Sequence, residues 1–380
     1  MNARVLFFVI LFEFSATAWC INFSRVNVAW QYDLNAEIRL NHRVVTEGGN
    51  LMVFLRIDAD STQKWKYTYL VQDGYESEDH REIEPLDMDT LALDQGVLLK
   101  LTFPKVEESL LVVRIAEFET FYYYDIPLKI GTLSPSPIYP VNERGVPILS
   151  KYINRSGFKW KGSDSFYAMQ YPENFREADP PMADMKPLAP RADLDTSFVF
   201  YDTVRFEENY FYVVRADSND VVGVTMLRTP PYFPEYRQLR ELVEAMFYLT
   251  SEAERKSLIN SKDTKRAFDS FWMNNFNTKA RARAGIRKYY NWIEVANRLF
   301  TDFKPGWKTD RGMLLIVYGQ PDEVYRTTSS EEWYYDSGEA FEFSIISSFF
   351  AAKTYNLRRN KDFEEGWYNH VAAIRRGINE

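Results

Sequence analysis

This chain of 380 residues has one cysteine, three histidines and no uncharged apolar run long enough to cross a bilayer. With Cys20 as the only cysteine, no intrachain disulfide can form and the fold must be held by its cores. His42, His80 and His370 lie far apart and in no metal-ligand spacing, and there is no HExxH, no paired CxxC and no glycine-flanked nucleophilic serine. Walker and dinucleotide glycine patterns are also missing. Asp58-Ala59-Asp60 and Asp87-Met88-Asp89 look at first like calcium loops. Neither has the glycine at loop position six or the glutamate at twelve, so both read as loop carboxylates. No cofactor and no metal are expected.

What is present points to export. Arg4 precedes an apolar run from Val5 to Phe12, and Ala16-Thr17-Ala18 supplies the small-x-small pattern of a cleavage site, so residues 1–18 read as a signal peptide. The run is too short for a mature membrane helix, which needs roughly 20 apolar residues. Cys20 leaves two readings open. It stands where a bacterial lipoprotein carries its acylated cysteine, but Thr17 and Trp19 suit ordinary secretion cut after Ala18 better than a lipobox. The expected location is the periplasm or the outer membrane, with no transmembrane helix in the mature chain.

Hydrophobic residues make up 46% of the chain, enough for sizeable cores, and aromatics reach 16%, which favours strands and broad binding surfaces. The net charge of −8 is unevenly spread: residues 255–311 hold fourteen Lys/Arg against five Asp/Glu. Such a block reads either as a solvated helix face or as a dock for an anionic partner. Lys279, Arg281, Arg283, Arg287 and Lys288 are the docking candidates. Export argues against nucleic acid and leaves an envelope protein, an anionic lipid or a glycan as partner.

Period-two alternation marks the N-terminal region. Val26, Val28, Trp30 and Tyr32 alternate with mostly polar neighbours, as do Trp65–Val71, Val97–Phe103 and Leu111–Ile115. Residues 22–131 therefore read as an immunoglobulin-like β-sandwich. After a proline-rich joint, residues 141–228 read as a second β-rich domain, with five prolines between Tyr171 and Pro190 marking a long ordered loop or strand-poor insertion. Residues 234–303 read as a helical segment: Leu239, Leu242, Val243, Met246 and Phe247 form one apolar stripe, and Ser251 with Glu254 makes a capping box. Residues 304–360 form a small sheet module, and 361–380 a C-terminal tail of helical character. The fold class expected is multidomain α+β.

Within that module Gly306-Trp307-Lys308-Thr309-Asp310-Arg311-Gly312 precedes Met313–Tyr318, then Gly319-Gln320-Pro321-Asp322-Glu323, Glu332-Trp333-Tyr334-Tyr335 and Phe341-Glu342-Phe343. This order, with Phe271-Trp272 and Tyr289–Phe300 upstream, resembles the GWxTD domain over residues 268–346. The resemblance implies an exported bacterial envelope protein with β-rich regions upstream, and it supplies no catalytic residues.

The residues themselves predict a tight connection bracketed by Gly306 and Gly312, with Thr309 and Asp310 satisfying free amides and Trp307 plugging the helix–sheet junction. Met313–Tyr318 then reads as an apolar strand, and Pro321-Asp322-Glu323 as the first turn of a helix. Trp333–Tyr335 and Phe341–Ile345 read as a hairpin around Asp336-Ser337-Gly338.

The leading expectation is a non-enzymatic cell-envelope protein acting in binding or assembly. One alternative is a glycan-active enzyme using two of Asp310, Asp322 and Glu323 beside Trp307, Arg311 and Trp333, which requires an open cleft with the pair about 5–10 Å apart. Another is a carbohydrate-binding protein.

Overall fold

The computed structural model describes residues 22–377, apart from 34, 60–64, 94–95, 118–122, 132–134, 185–190, 277 and 352. Residues 1–18, read from the sequence as an export signal, lie outside the described residues, as do Cys20 and Asp60.

Alternating apolar residues fold the first unit into β1 (Ile38–Glu47), β2 (Asn50–Ala59), β3 (Trp65–Gln72), β4 (Arg81–Glu82), β5 (Asp87–Ala92), β6 (Val97–Phe103), β7 (Leu110–Glu117) and β8 (Tyr123–Lys129). They pair antiparallel in two four-stranded sheets, ordered β1-β2-β6-β5 and β4-β3-β7-β8. Leu55, Leu101 and Phe103 of one sheet meet Val71, Val113 and Ile126 of the other in a single core, as a sandwich requires.

The alternation of Val26, Val28, Trp30 and Tyr32 is not a sandwich strand. Phe23–Arg25 and Ala29–Tyr32 are single 3-10 turns, because the Asn22 carboxamide accepts the Ser24 N–H (3.0 Å) and the Asn27 carboxamide accepts the Ala29 N–H (2.9 Å). Side-chain bonds of this kind compete with a ladder. The segment instead lies along the C-terminal sheet.

The second unit holds β9 (Tyr139–Asn142), β10 (Tyr152–Ile153), β11 (Phe158–Lys161), β12 (Phe166–Pro172), β13 (Thr196–Phe200), β14 (Tyr210–Arg215) and β15 (Val224–Arg228). Five of them form the sheet β10-β15-β14-β12-β13, and β9 pairs with β11. Between β12 and β13 the described part of the proline-rich stretch, 173–184, runs without strand or helix over the C-terminal module, where Ala178 enters the core.

Four helices follow: α1 (Leu239–Ala245), α2 (Glu252–Ile259), α3 (Thr264–Asn275) and α4 (Lys279–Phe300). The Ser251–Glu254 capping box is formed in both directions. Then come α5 (Asp310–Tyr318), β16 (Glu323–Arg326), β17 (Ser330–Tyr334), β18 (Ala340–Ile346), β19 (Thr354–Leu357) and α6 (Glu364–Arg376). The four strands make an antiparallel sheet in chain order, and β17–β18 is the expected hairpin.

Two local expectations are corrected here. Met313–Tyr318 is helix, not strand. A short apolar run does not distinguish a buried strand from a buried helix, and α5 is buried almost all round, from Met313 to Val317, because it packs against α4, α6 and β19. Pro321-Asp322-Glu323 does not open a helix. The helix has already ended at Gly319, and the Asp322 N–H joins the sheet by donating to the Tyr334 carbonyl (2.9 Å). The molecule is mixed α+β, with sheets antiparallel but for the β10–β15 pair first, helices in the middle and a small helix-backed sheet last.

Candidate functional site

The Gly306–Gly312 string sits where α4, α5, the 173–184 strap and β19 converge. Gly306 lets the chain touch α4: a Cβ there would lie 1.9 Å from the Ala296 carbonyl oxygen. Gly312 does the same for α5, whose Cβ would lie 2.0 Å from the Gly306 carbonyl oxygen. Only glycine permits such approaches. Thr309 caps α5, its hydroxyl accepting the Gly312 N–H (3.0 Å) and donating to the Gly306 carbonyl (2.7 Å).

Trp307 is 1% exposed and tied to three neighbours. Its indole N–H donates to the Tyr236 hydroxyl (2.7 Å), its backbone N–H to the Asn297 carboxamide oxygen (3.1 Å), and its carbonyl accepts from Tyr248 (3.0 Å). Asn297, itself fully buried, also donates to the Pro234 carbonyl (3.1 Å).

Asp310 reaches outward from the same turn. Its carboxylate accepts the Leu357 N–H on β19 (2.8 Å) and the Arg359 guanidinium (2.5 Å), and Arg359 donates on to the Asp179 carbonyl of the strap (3.0 Å). Lys308 adds a second hold on the strap, 3.1 Å from both carboxylate oxygens of Glu173. Burial pushes the Glu173 carboxyl up, against the pull of Lys308.

Arg311 points the other way, into a buried ionic cluster at the sheet. Glu331, fully buried on β17, pairs with Arg326 (2.6 Å) and Arg311 (3.4 Å) and accepts from the Tyr32 hydroxyl and the Trp333 indole (both 2.9 Å). Burial alone would raise its carboxyl, but the two guanidiniums and two hydrogen bonds outweigh it and hold the group down at about 2. Arg311 also stacks on the Tyr355 ring, 3.4 Å from its centroid. The N-terminal segment closes this cluster: besides Tyr32, the Val28 N–H donates to the Val324 carbonyl (2.9 Å) and Asn27 accepts the Val324 N–H (3.0 Å).

The three candidate acids are therefore not assembled. Asp310 is buried and paired. Asp322 and Glu323 are exposed at the start of β16, where they accept the Asp336 N–H (2.7 Å) and the Tyr325 hydroxyl (2.9 Å). Neither lines the cavity of about 250 Å³ that Asp310 lines. Trp333 is core rather than an aromatic floor, Gly319 ends α5, and Pro321 is buried in the turn to β16.

That cavity lies between the strap, α5 and β19. Its lining includes Phe175, Phe303, Lys353, Tyr355 and Asn356, and among the described residues the Asn356 carboxamide nitrogen and the Thr354 hydroxyl are buried without hydrogen-bond partners.

Lys279, Arg281, Arg283, Arg287 and Lys288 are all exposed on the first half of α4. No acid occupies the first turn, and no acid pairs with Lys279, Arg281, Arg283 or Arg287 among the described residues. No described helix is long and apolar enough to cross a membrane.

Sequence reasoning missed Glu331, Arg326, Arg359 and Tyr32. Glu331 was findable, because it stands two residues before Trp333 on a strand and so shares its inward face.

No curated protein matches the chain. A solved structure described as "Anomalous substructure of Titin-A168169" aligns over 51% of this chain and 98% of its own at 11% identity, with a TM-score of 0.18, too low to bear on the fold. Residues 210–376 match the family model of the GWxTD domain, a span that takes in β14 and β15, α1–α6 and the whole C-terminal sheet. The chain is a GWxTD domain-containing protein, and its signature string is the junction that clasps helix, strap and sheet together.

Proposed function

We propose that this protein is an exported, non-enzymatic component of the cell envelope, acting in binding or assembly, which docks on an anionic partner through the first half of α4. The supporting observation is a charge pattern that costs the helix stability. A helix N-terminus carries partial positive charge and favours acids. The first turns of α2, α5 and α6 hold Glu252 and Glu254, Asp310, and Glu364 and Glu365. In α4, five cations and no acid occupy the first ten residues. An anionic partner would supply the missing counter-charge. The motif itself serves this reading as a clasp, since Trp307, Thr309 and Asp310 spend their hydrogen bonds on internal partners.

The test is recovery of tagged, full-length protein from its native envelope, with and without charge reversal at Lys279, Arg281, Arg283 and Arg287. The docking reading expects an envelope component, protein or membrane, to accompany the wild type and to be lost from the reversed variant. Unchanged recovery overturns it.

A carbohydrate-binding reading has one observation in its favour: the unpartnered Asn356 and Thr354 lie at the cavity that Phe175, Phe303 and Tyr355 also line. Aromatic walls with a few polar groups suit a small polar ligand. A glycan array that shows binding abolished by Asn356→Leu would support it, and an array without signal would dismiss it.

A further inference from the structure

The cavity of about 250 Å³ between the strap, α5 and β19 has a charged lining that a neutral sugar would leave unused. Several of its charges are already spent. Arg359 pairs with Asp310 (2.5 Å), Arg311 with Glu331 (3.4 Å) and Asp302 with Lys151 (2.6 Å). Lys304 donates to the Arg176 carbonyl (3.3 Å), and the Arg176 side chain is exposed.

Charges of both signs are left over, on different walls. On the strap, Glu177 is half-buried and Asp184 exposed, and among the described residues no cation pairs with either. Just before β19, Lys353 is half-buried, and among the described residues no hydrogen bond or ion pair reaches its ammonium. Burial pushes that ammonium down, as do Arg326, Lys129 and Lys151, against the pull of the Tyr355 hydroxyl.

The polar groups next to Lys353 need an acceptor. Thr354 and Asn356 stand two apart on β19 and so share a face. The Thr354 hydroxyl and the Asn356 carboxamide nitrogen are buried without partners, and Asn356 is 7% exposed. Buried polar groups are nearly always bonded, so two orphans beside an unpaired ammonium call for a ligand. A carboxylate suits all three. A simple anion would still meet the strap acids, and a simple cation would leave Lys353 unpaired; a zwitterion answers both walls. Phe175, Phe303 and Tyr355 add apolar lining. The volume is just under the roughly 300–1,000 Å³ of drug-sized sites, so the ligand is small.

We propose that this cavity takes a free α-amino acid with an apolar side chain, its carboxylate held by Lys353, Thr354 and Asn356 and its ammonium by Glu177. Such a ligand is independent of docking through α4 and rivals a sugar for the same cavity.

Titration calorimetry of the purified full-length protein with L-phenylalanine and L-leucine tests it. Phenylpropionate lacks the amine, phenethylamine lacks the carboxylate, and glucose is the neutral comparison. Both amino acids should bind one-to-one, and each of the three comparisons at least tenfold more weakly, which is about 1.4 kcal/mol. Lys353→Gln should weaken phenylalanine at least tenfold and leave phenethylamine unchanged. Glu177→Gln should weaken phenylalanine as much and leave phenylpropionate unchanged. That crossed pattern reports the two ends of one ligand, whereas a collapsed cavity would lose every compound alike. Silence from both amino acids, equal binding by a comparison compound, uniform loss in the variants or indifference to them overturns the proposal. Glucose binding alongside silence from the amino acids returns the cavity to the carbohydrate reading.

Discussion

The hydroxyl of Tyr32 donates to the carboxylate of Glu331 across 299 residues of chain, at 2.9 Å and fully out of solvent. This bond makes the N-terminal segment part of the GWxTD sheet and joins the two ends of the molecule at one buried charge. Breaking a buried ion pair from one side leaves the other charge uncompensated and costs about 3–5 kcal/mol. Glu331→Gln should lose that much, because Arg326 and Arg311 both lose their counter-ion, while Tyr32→Phe should lose less, about 1–3 kcal/mol, since its hydroxyl donates to Glu331 and also accepts from Arg326 (3.0 Å) and Arg311 (3.2 Å) but carries no charge. Urea unfolding followed by tryptophan fluorescence measures both, and equal losses would show that the cluster is not centred on Glu331.

The same carboxylate sets an acid limit. Its folded value is depressed from the ordinary 4.5 to about 2 by the two arginines and the Tyr32 and Trp333 donors, which together overcome burial. A depressed carboxylate contributes stability that is complete above its unfolded value and is lost as pH falls through its folded value. Stability should therefore fall between about pH 4.5 and 2, and the slope in that window should flatten in Glu331→Gln. Urea midpoints at pH 5, 4 and 3 for the two proteins give the comparison, and parallel curves would place the acid sensitivity elsewhere.

Asp310 and Asp322 should behave oppositely although both were candidate acids. Asp310→Asn leaves Arg359 without its partner and frees both β19 and the strap, so a loss of about 3–5 kcal/mol is expected. Limited proteolysis should then cut first within 174–184. Asp322 is exposed with one turn bond, and Asp322→Asn should stay within about 0.5 kcal/mol. Early cleavage in both variants would contradict the assignment of the strap to Asp310.

The contrast shows what a sequence can and cannot carry. Trp65–Val71 and Val97–Phe103 were legible as strands because burial on one face imposes period two, and the Ser251–Glu254 cap was legible because it is local. Val26–Tyr32 showed the same period and misled, since two asparagine side chains settled its backbone and a partner some 300 residues away settled its place. Met313–Tyr318 misled for the opposite reason: buried on nearly every side, it had no periodicity to reveal a helix. The string itself was legible as a motif, whereas its partners Arg359, Asp179 and Asn297 come from separate segments, and no spacing announces them.

Gly306 offers a test of the clasp. A methyl group there would meet the Ala296 carbonyl oxygen at 1.9 Å and the Asn297 Cα at 2.8 Å, both backbone, so α4 and the turn must part and the Trp307–Asn297 bond must break. Gly306→Ala should cost about 1–3 kcal/mol or more through overpacking. Gly74→Ala, whose new Cβ would meet only ordinary contacts from 3.4 Å, should stay within about 0.5 kcal/mol. Thermal melts of the two variants decide it, and a silent Gly306→Ala would mean that the turn can move away from α4 freely.

The last prediction concerns the basic end of α4 and sets stability against docking. Lys279 and Arg281 lie in the first turn, where the helix dipole disfavours cations. Arg281→Glu would also complete a Thr-x-x-Glu capping box with Thr278, whose side chain already accepts the Arg281 N–H. Lys279→Glu with Arg281→Glu should therefore raise stability by about 0.3–1 kcal/mol at each position, seen as a higher melting temperature at low salt that shrinks as salt is added. If the same variant also loses envelope recovery, the cations are held at that end against the stability of the helix and for the sake of a partner. If it melts lower instead, the two side chains make contacts that favour the fold, and the docking reading loses the observation on which it stands.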